Sequence, residues 1–237
     1  GGNMLIASTW RHREEMKRIG RGNADRRWDV LPQQPSLAYD LAQNRLIVTA
    51  AALQDPIFNA QSTAATKFGS YGALVGHELT RAIDAKGALI DARGELRSWW
   101  TPADKTAWTL LATRVATQYS AYDFPGVKGA KVNGALTADN NLADVAGLEL
   151  AWEAYRAQEP NAKPAEQQDF FRAWAALWPQ QVSPNEAAAR ASMDVEAPGK
   201  WRTNGPLANL PAFGASFTCK PGQPMQRTDA EQIRVWR

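Results

Sequence analysis

Apolar side chains recur at every third or fourth position through several stretches, a period that predicts a mainly helical chain. Leu5, Ile6, Trp10, Met16 and Ile19 predict a helix over residues 4–19, ended by Gly20 and Gly22. Phe68, Tyr71, Val75, Leu79 and Ile83 form one apolar stripe and predict a long helix over about 63–84. Thr101-Pro102-Ala103-Asp104 reads as a helix start, with Thr101 as N-cap and Pro102 at the first helical position, and that helix continues to about Tyr122. Leu142, Val145, Leu148, Trp152 and Tyr155 predict a further helix over 140–158, and shorter ones follow near 166–178 and 184–193. The period changes in one place. Arg45-Leu46-Ile47-Val48-Thr49 is β-rich and reads as a strand, with Leu37-Ala38-Tyr39 as its hairpin partner and Gln43-Asn44 in the turn. Trp28 to Pro32 leads into this stretch as extended chain, and the Pro- and Gly-rich tail from 197 predicts irregular structure. The fold class expected is mainly α with a small β-sheet (α+β).

Composition narrows the functional classes. At 237 residues the chain can bury a full-sized core without disulfide staples. Its single cysteine, Cys219, excludes an internal disulfide framework; it reads as a small buried thiol, or as half of a bridge to a segment outside this chain. Two histidines, His12 and His77, exclude a metal site built on three histidines. No apolar run approaches the roughly 18 residues of a membrane span. The net charge is +3, and residues 1–30 carry all of it, with seven Arg or Lys against four acids. The interleaved acids make that segment read as a solvated basic helix, so no nucleic-acid partner is expected. The chain starts Gly1-Gly2-Asn3, without an initiator Met or a signal-peptide pattern, as a processed or partial chain would. No phosphate loop, dinucleotide fingerprint or Ser-His-Asp set is present. Asp139 and Glu196 lack the spacing of a paired-carboxylate site. Trp99-Trp100 reads as core.

The sharpest local motif is His77-Glu78-Leu79-Thr80-Arg81, followed by Ala82-Ile83-Asp84. A metalloprotease helix of the H-E-x-x-H type sets two histidines one turn apart on one zinc ion, with the glutamate as general base. The first histidine and the glutamate are here, but the second ligand position holds Arg81. Taken alone, this pair reads as a surface or core-edge feature.

More of the chain bears on it. Ordered segments extend from Leu37-Ala38-Tyr39 through Asn44-Arg45-Leu46-Ile47 and Ala52-Leu53-Gln54-Asp55-Pro56-Ile57-Phe58 to Tyr71-Gly72-Ala73-Leu74-Val75-Gly76-His77-Glu78. They continue with Gly94-Glu95-Leu96-Arg97-Ser98-Trp99-Trp100-Thr101-Pro102-Ala103-Asp104, Val132-Asn133-Gly134-Ala135-Leu136-Thr137, Asn141-Leu142-Ala143-Asp144, Phe170-Phe171-Arg172-Ala173-Trp174 and Trp201-Arg202-Thr203-Asn204-Gly205-Pro206. Together they resemble the catalytic C-terminal lobe of the neprilysin family of zinc endopeptidases. The resemblance implies a zincin-like, thermolysin-like fold over residues 25–237. Residues 1–24 are then a basic helix belonging to a linker or to a second, mostly helical lobe.

Carried over position by position, the resemblance gives His77 the first zinc ligand and Glu78 the general base. Arg81 replaces the second ligand, and Asn140 replaces the glutamate ligand of a Glu-Asn-x-x-Asp motif that reads Asn140-Asn141-Leu142-Ala143-Asp144 here. Glu196 replaces a transition-state-stabilising histidine, and Leu37 replaces an asparagine that clamps substrate backbone. Asp84 and Asp144 match the aspartates that orient the histidines, and Ala38 and Arg202 match substrate-binding positions. One metal ligand of three remains, so no zinc is expected. The arginine fork three residues from both Glu78 and Asp84 is expected near the vacated metal position. The expected function is a pseudopeptidase lobe: a peptide- or protein-binding or structural subunit, outside the cytoplasm as family members typically are, partnered by a lobe on another segment or chain. The alternative is an active zinc endopeptidase with a non-standard ligand set.

Overall fold

The computed structural model describes residues 2–17, 19–20 and 30–236. Its elements are α1 (Gly2–Met16), the hairpin β1 (Leu37–Asp40) and β2 (Arg45–Val48), α2 (Ala64–Lys67), α3 (Ala73–Thr80), α4 (Pro102–Ser120), α5 (Ala138–Gln158), α6 (Pro164–Ala176), α7 (Pro184–Met193), α8 (Gly199–Asn209) and α9 (Pro211–Ser216). Among the described residues the fold is mainly helical with one two-stranded antiparallel sheet, as the patterning predicts. Helix α1 buries none of its residues, and its predicted end at Gly22, the Trp28–Asp29 stretch and the 24/25 boundary lie outside the described residues. No helix among the described residues is long and apolar enough to cross a membrane.

The centre of the fold is α5. Leu142, Ala146, Leu148, Ala151 and Tyr155 are almost completely buried, with Asn141 and Glu149 between them. A helix buried on every side shows weak amphipathicity, and this one is covered by α3, α4 and α8. On one side Trp152 and Tyr155 pack with Phe170, Phe171 and Trp174 of α6. On the other, Leu142 packs with Trp108, Val115 and Tyr119 of α4. Buried Glu149 accepts hydrogen bonds from the Arg234 side chain and, at 3.0 Å, from the Val235 N–H, which pins the end of the chain to α5.

Helices α3 and α5 meet backbone to backbone. A Cβ on Gly147 would lie 2.3 Å from the His77 nitrogen, and one on Gly76 would lie 2.6 Å from the Gly147 oxygen. Only glycine permits that approach, and it places His77 one turn from Asp144. Gly147→Ala is therefore expected to cost about 1–3 kcal/mol through overpacking. An unchanged urea midpoint would show that the two helices separate freely.

Three predictions need correction. The helix expected to run to residue 84 widens into a π turn at Phe68–Gly72 and ends at Thr80; Arg81, Ala82 and Ile83 then donate in tight i→i−3 turns. The Asp84 carboxylate finishes the turn by accepting the Lys86 and Gly87 N–H groups, both at 2.8 Å. The tail expected to be irregular contains α8, with Pro206 inside it, and α9. Its glycines serve packing: a Cβ on Gly205 would fall 2.1 Å from the Tyr119 hydroxyl. Finally, Trp99 is not core. It is 47% exposed and donates its indole N–H to the Gly87 carbonyl at 3.0 Å, whereas Trp100 packs on Trp108.

The hairpin forms in the register Ala38–Ile47, Tyr39–Leu46, with Asn44 at φ 46° closing the turn. The Thr101–Asp104 capping box opens α4 as expected.

Candidate functional site

The site lies where α3, α5, the α7–α8 connection and β1 converge. His77 and Arg81 share one face at the end of α3, four residues apart. Asn140 and Asp144 share one face at the start of α5, also four apart. His77 is buried, and its Nδ1 lies 2.7 Å from Asp144 Oδ1. Its Nε2 lies 3.2 Å from Arg81 Nη2. A guanidinium only donates, so Nε2 is the lone-pair nitrogen and Nδ1 carries the proton given to Asp144. This is the tautomer a metal ligand would need, with an arginine N–H in place of the metal. The same Arg81 Nη2 also donates to Asn140 Oδ1. Arg81 Nη1 lies 3.5 Å from Asp84 Oδ2. The three positions expected to form a ligand set, 77, 81 and 140, thus converge, and the guanidinium sits among them.

Glu78, expected as a second neighbour of Arg81, turns elsewhere. Its Oε2 accepts the Tyr39 backbone N–H at 3.1 Å, and its Oε1 lies 3.9 Å from His77 Nε2. The carboxylate therefore sits against strand β1, beside Ala38. A cavity of about 440 Å³ opens here, lined by Tyr39, Leu41, Glu78, Arg81, Leu136 and Asn140 among others.

Beneath the site, Asp144 holds two side chains, His77 and Arg202. Arg202 grips it in a bidentate pair, Nε to Oδ2 at 2.8 Å and Nη2 to Oδ1 at 2.7 Å. Burial alone would raise the Asp144 carboxyl, but Arg202 and His77 reverse that and hold it below the usual carboxylate range. Burial likewise opposes the charge on Arg202, and Asp144 outweighs it. The guanidinium lies 3.8 Å over the Trp178 ring. Its Nη1 is 2.8 Å from Glu196 Oε2, an ion pair without hydrogen-bond alignment. Burial pushes the Glu196 carboxyl up despite Arg202. Each nitrogen of Arg202 thus faces a carboxylate of this chain. Trp178 and the Tyr39 amide carry no sequence signal of their roles, because one acts as a stacking surface and the other through its backbone.

A His-Glu helix crossed by an aspartate-bearing helix, with a hairpin beside the glutamate, is the arrangement of a zincin-type peptidase lobe. Comparison with known proteins agrees. Peptidase family M13 matches residues 38–233. Neprilysin-3 of Drosophila melanogaster is 28% identical over 99% of this chain, and human endothelin-converting enzyme 1 is 33% identical over 88% of it. The chain spans only 30% and 28% of those two relatives. Among solved structures, the Mycobacterium tuberculosis zinc metalloprotease ZMP1 in complex with inhibitor superposes with a TM-score of 0.86 at 28% identity, over 96% of this chain and 36% of that one. PepO from Lactobacillus rhamnosis HN001 gives 0.79 at 33% identity, over 89% and 32%. The chain belongs to peptidase family M13, the neprilysin family.

The donors at the site do not suit catalytic zinc, which takes three protein ligands. Arginine has no lone pair to give and repels a dication, and an amide oxygen is a poor substitute for carboxylate or imidazole. Among the described residues no three His, Cys, Asp or Glu side chains are grouped to hold a metal.

Proposed function

We propose that this chain is an M13 peptidase lobe that no longer holds catalytic zinc and acts as a peptide- or protein-binding or structural subunit. The observation that carries the reading is a single one: Arg81 Nη2 contacts His77 Nε2 and Asn140 Oδ1 together, at the point where the ligand positions converge. A positive guanidinium there takes the place of the cation. Glu78, held by the Tyr39 amide, has no metal-bound water to deprotonate. The two-stranded hairpin leaves β1 as an edge that an extended peptide can join where Glu78 does not already occupy it at the Tyr39 N–H, with the neighbouring cavity receiving a side chain. The relatives are about three times as long, which supports a partner lobe supplied by another segment or a second chain. An extracytoplasmic location follows the habit of the family and is part of this proposal. No nucleic-acid role is proposed.

The second reading, an active zinc endopeptidase with an unusual ligand set, draws on the retained His77-Glu78 pair and the likeness to a zinc metalloprotease. Elemental analysis after zinc saturation and desalting separates the two. The expected result is no stoichiometric zinc and no cleavage of unstructured peptides. One tightly held zinc per chain would end the first reading, and zinc together with peptide cleavage would establish the second.

A further inference from the structure

The replaced positions do not stand apart; they are joined. Asn140 accepts from Arg81 through Oδ1, and its Nδ2 donates to the Val195 carbonyl at 3.0 Å. The next residue along, Glu196, pairs with Arg202, which grips Asp144. Asp144 holds His77, and His77 meets Arg81. The path closes on itself through α3, α5, the segment between α7 and α8, and α8. We infer that Arg81, Asn140 and Glu196 form one co-adapted ring that straps residues 194–197 across the site. The inference rests on the proposed function only in taking Arg81 as the cation of the site.

The chemistry at Asn140 shows why the ring needs this residue. A carboxylate at position 140 accepts from Arg81 equally well. It cannot donate, so it would face the Val195 carbonyl acceptor to acceptor at about the same separation. Only the amide satisfies both neighbours. Glu196 shows the same fit. A histidine at 196 would set a second potential cation beside Arg202, whereas the carboxylate neutralises the guanidinium face that Asp144 leaves uncovered. Arg81 supplies donors in two directions, toward His77 and toward Asn140, and a neutral imidazole would offer only one N–H. These three replacements are thus matched to the groups that face them, and drift of unrelated positions has no reason to produce that match.

The strap has a functional consequence that deepens the proposed reading. With each nitrogen of Arg202 turned to a carboxylate of this chain, the arginine is covered by Glu196, and a peptide at β1 meets the 440 Å³ cavity without it. Recognition is thereby confined to the hairpin side of the site. Val195, 51% exposed, and Leu136, 39% exposed, stand as apolar rims of that cavity.

The test is hydrogen exchange on the intact chain. In Asn140→Asp the amides of Glu196 and Ala197 are expected to exchange at least tenfold faster than in the wild type, while the Val115 amide in α4 keeps its rate. Because Asn140→Asp alone could disturb packing, Arg81→Met and Glu196→Gln are also combined in a double-mutant cycle. Their joint effect on the folding equilibrium, read in high salt to screen the direct attraction between the two charges, is expected to differ from the product of the separate effects by at least fivefold, although no hydrogen bond or ion pair joins the two side chains. Unchanged exchange in Asn140→Asp, or multiplicative effects of the pair, would overturn the ring. Zinc uptake by the wild type would instead overturn the proposed function, so the two failures are distinguishable.

Discussion

Asp144→Asn is expected to lower the unfolding free energy by about 3–5 kcal/mol at neutral pH, the cost of leaving a buried ion pair with one partner. The reasoning rests on what Asp144 holds. Its side chain is completely buried, and it accepts from Arg202 through both oxygens and from His77 through one. An amide of the same size keeps one acceptor and turns an N–H toward a guanidinium. Glu196 is the only other carboxylate paired with Arg202 among the described residues, and its contact lacks hydrogen-bond alignment, so it compensates little. For a domain whose whole stability is about 5–15 kcal/mol, the loss is large. The pH dependence gives a second signature. Asp144 is held below its ordinary range, so its contribution is full above the unfolded value of about 3.9 and is lost as pH falls through the lower folded value. The gap between variant and wild type, read from urea unfolding, should therefore close in acid. A loss under about 1 kcal/mol at pH 7 would mean that Arg202 finds another partner and that the site is not a centre of stability.

Much of this was legible in the chain, for physical reasons. The Thr101-Pro102-Ala103-Asp104 start carries its own capping chemistry, and α4 begins there. The hairpin was legible because alternation and a turn at Gln43-Asn44 coincide. The tail misled because Gly199, Gly205 and Pro206 look like breakers. In fact the glycines make room for Trp178 and the Tyr119 hydroxyl, and tertiary packing overrides propensity. The end of α3 misled in the opposite direction. The apolar stripe continues to Ile83, but the Asp84 carboxylate captures the N–H groups beyond it and stops the helix. At the site, family resemblance named the positions and their chemistry, and it correctly foresaw Arg81 beside Asp84. It could not foresee that Glu78 would turn to the Tyr39 amide, or that Asn140 would reach the Val195 carbonyl 55 residues away, because those contacts depend on backbone placement rather than residue type. Trp178 under Arg202 was missed for the same reason.

The combined variant Arg81→His with Asn140→Glu is expected to bind one zinc ion where, on the proposed reading, the wild type binds none. The scaffold for it is already in place. His77 keeps its proton on Nδ1 against Asp144, which leaves Nε2 free to ligate once the guanidinium is gone. Position 81 keeps helical dihedrals at the end of α3 and follows His77 by four residues, so an imidazole there reaches the same point. Asp84, now 3.5 Å from the Arg81 guanidinium, is placed to accept from the far nitrogen of that ring. A carboxylate at 140 completes a two-histidine, one-glutamate set. Removing one positive charge and adding one negative charge reverses the repulsion that a dication meets in the wild type. The expected affinity is submicromolar, an apparent binding free energy of about 8 kcal/mol or more. Calorimetry at pH 7 with a competing chelator reads it, and each single variant should bind far more weakly because it supplies only two ligands. Peptide hydrolysis need not return with the metal, since Glu196 still stands where the family places a histidine. A folded double variant that takes up no zinc would show that the backbone of α3 and α5 does not hold metal-site spacing, and that more than two side chains stand against a metal here.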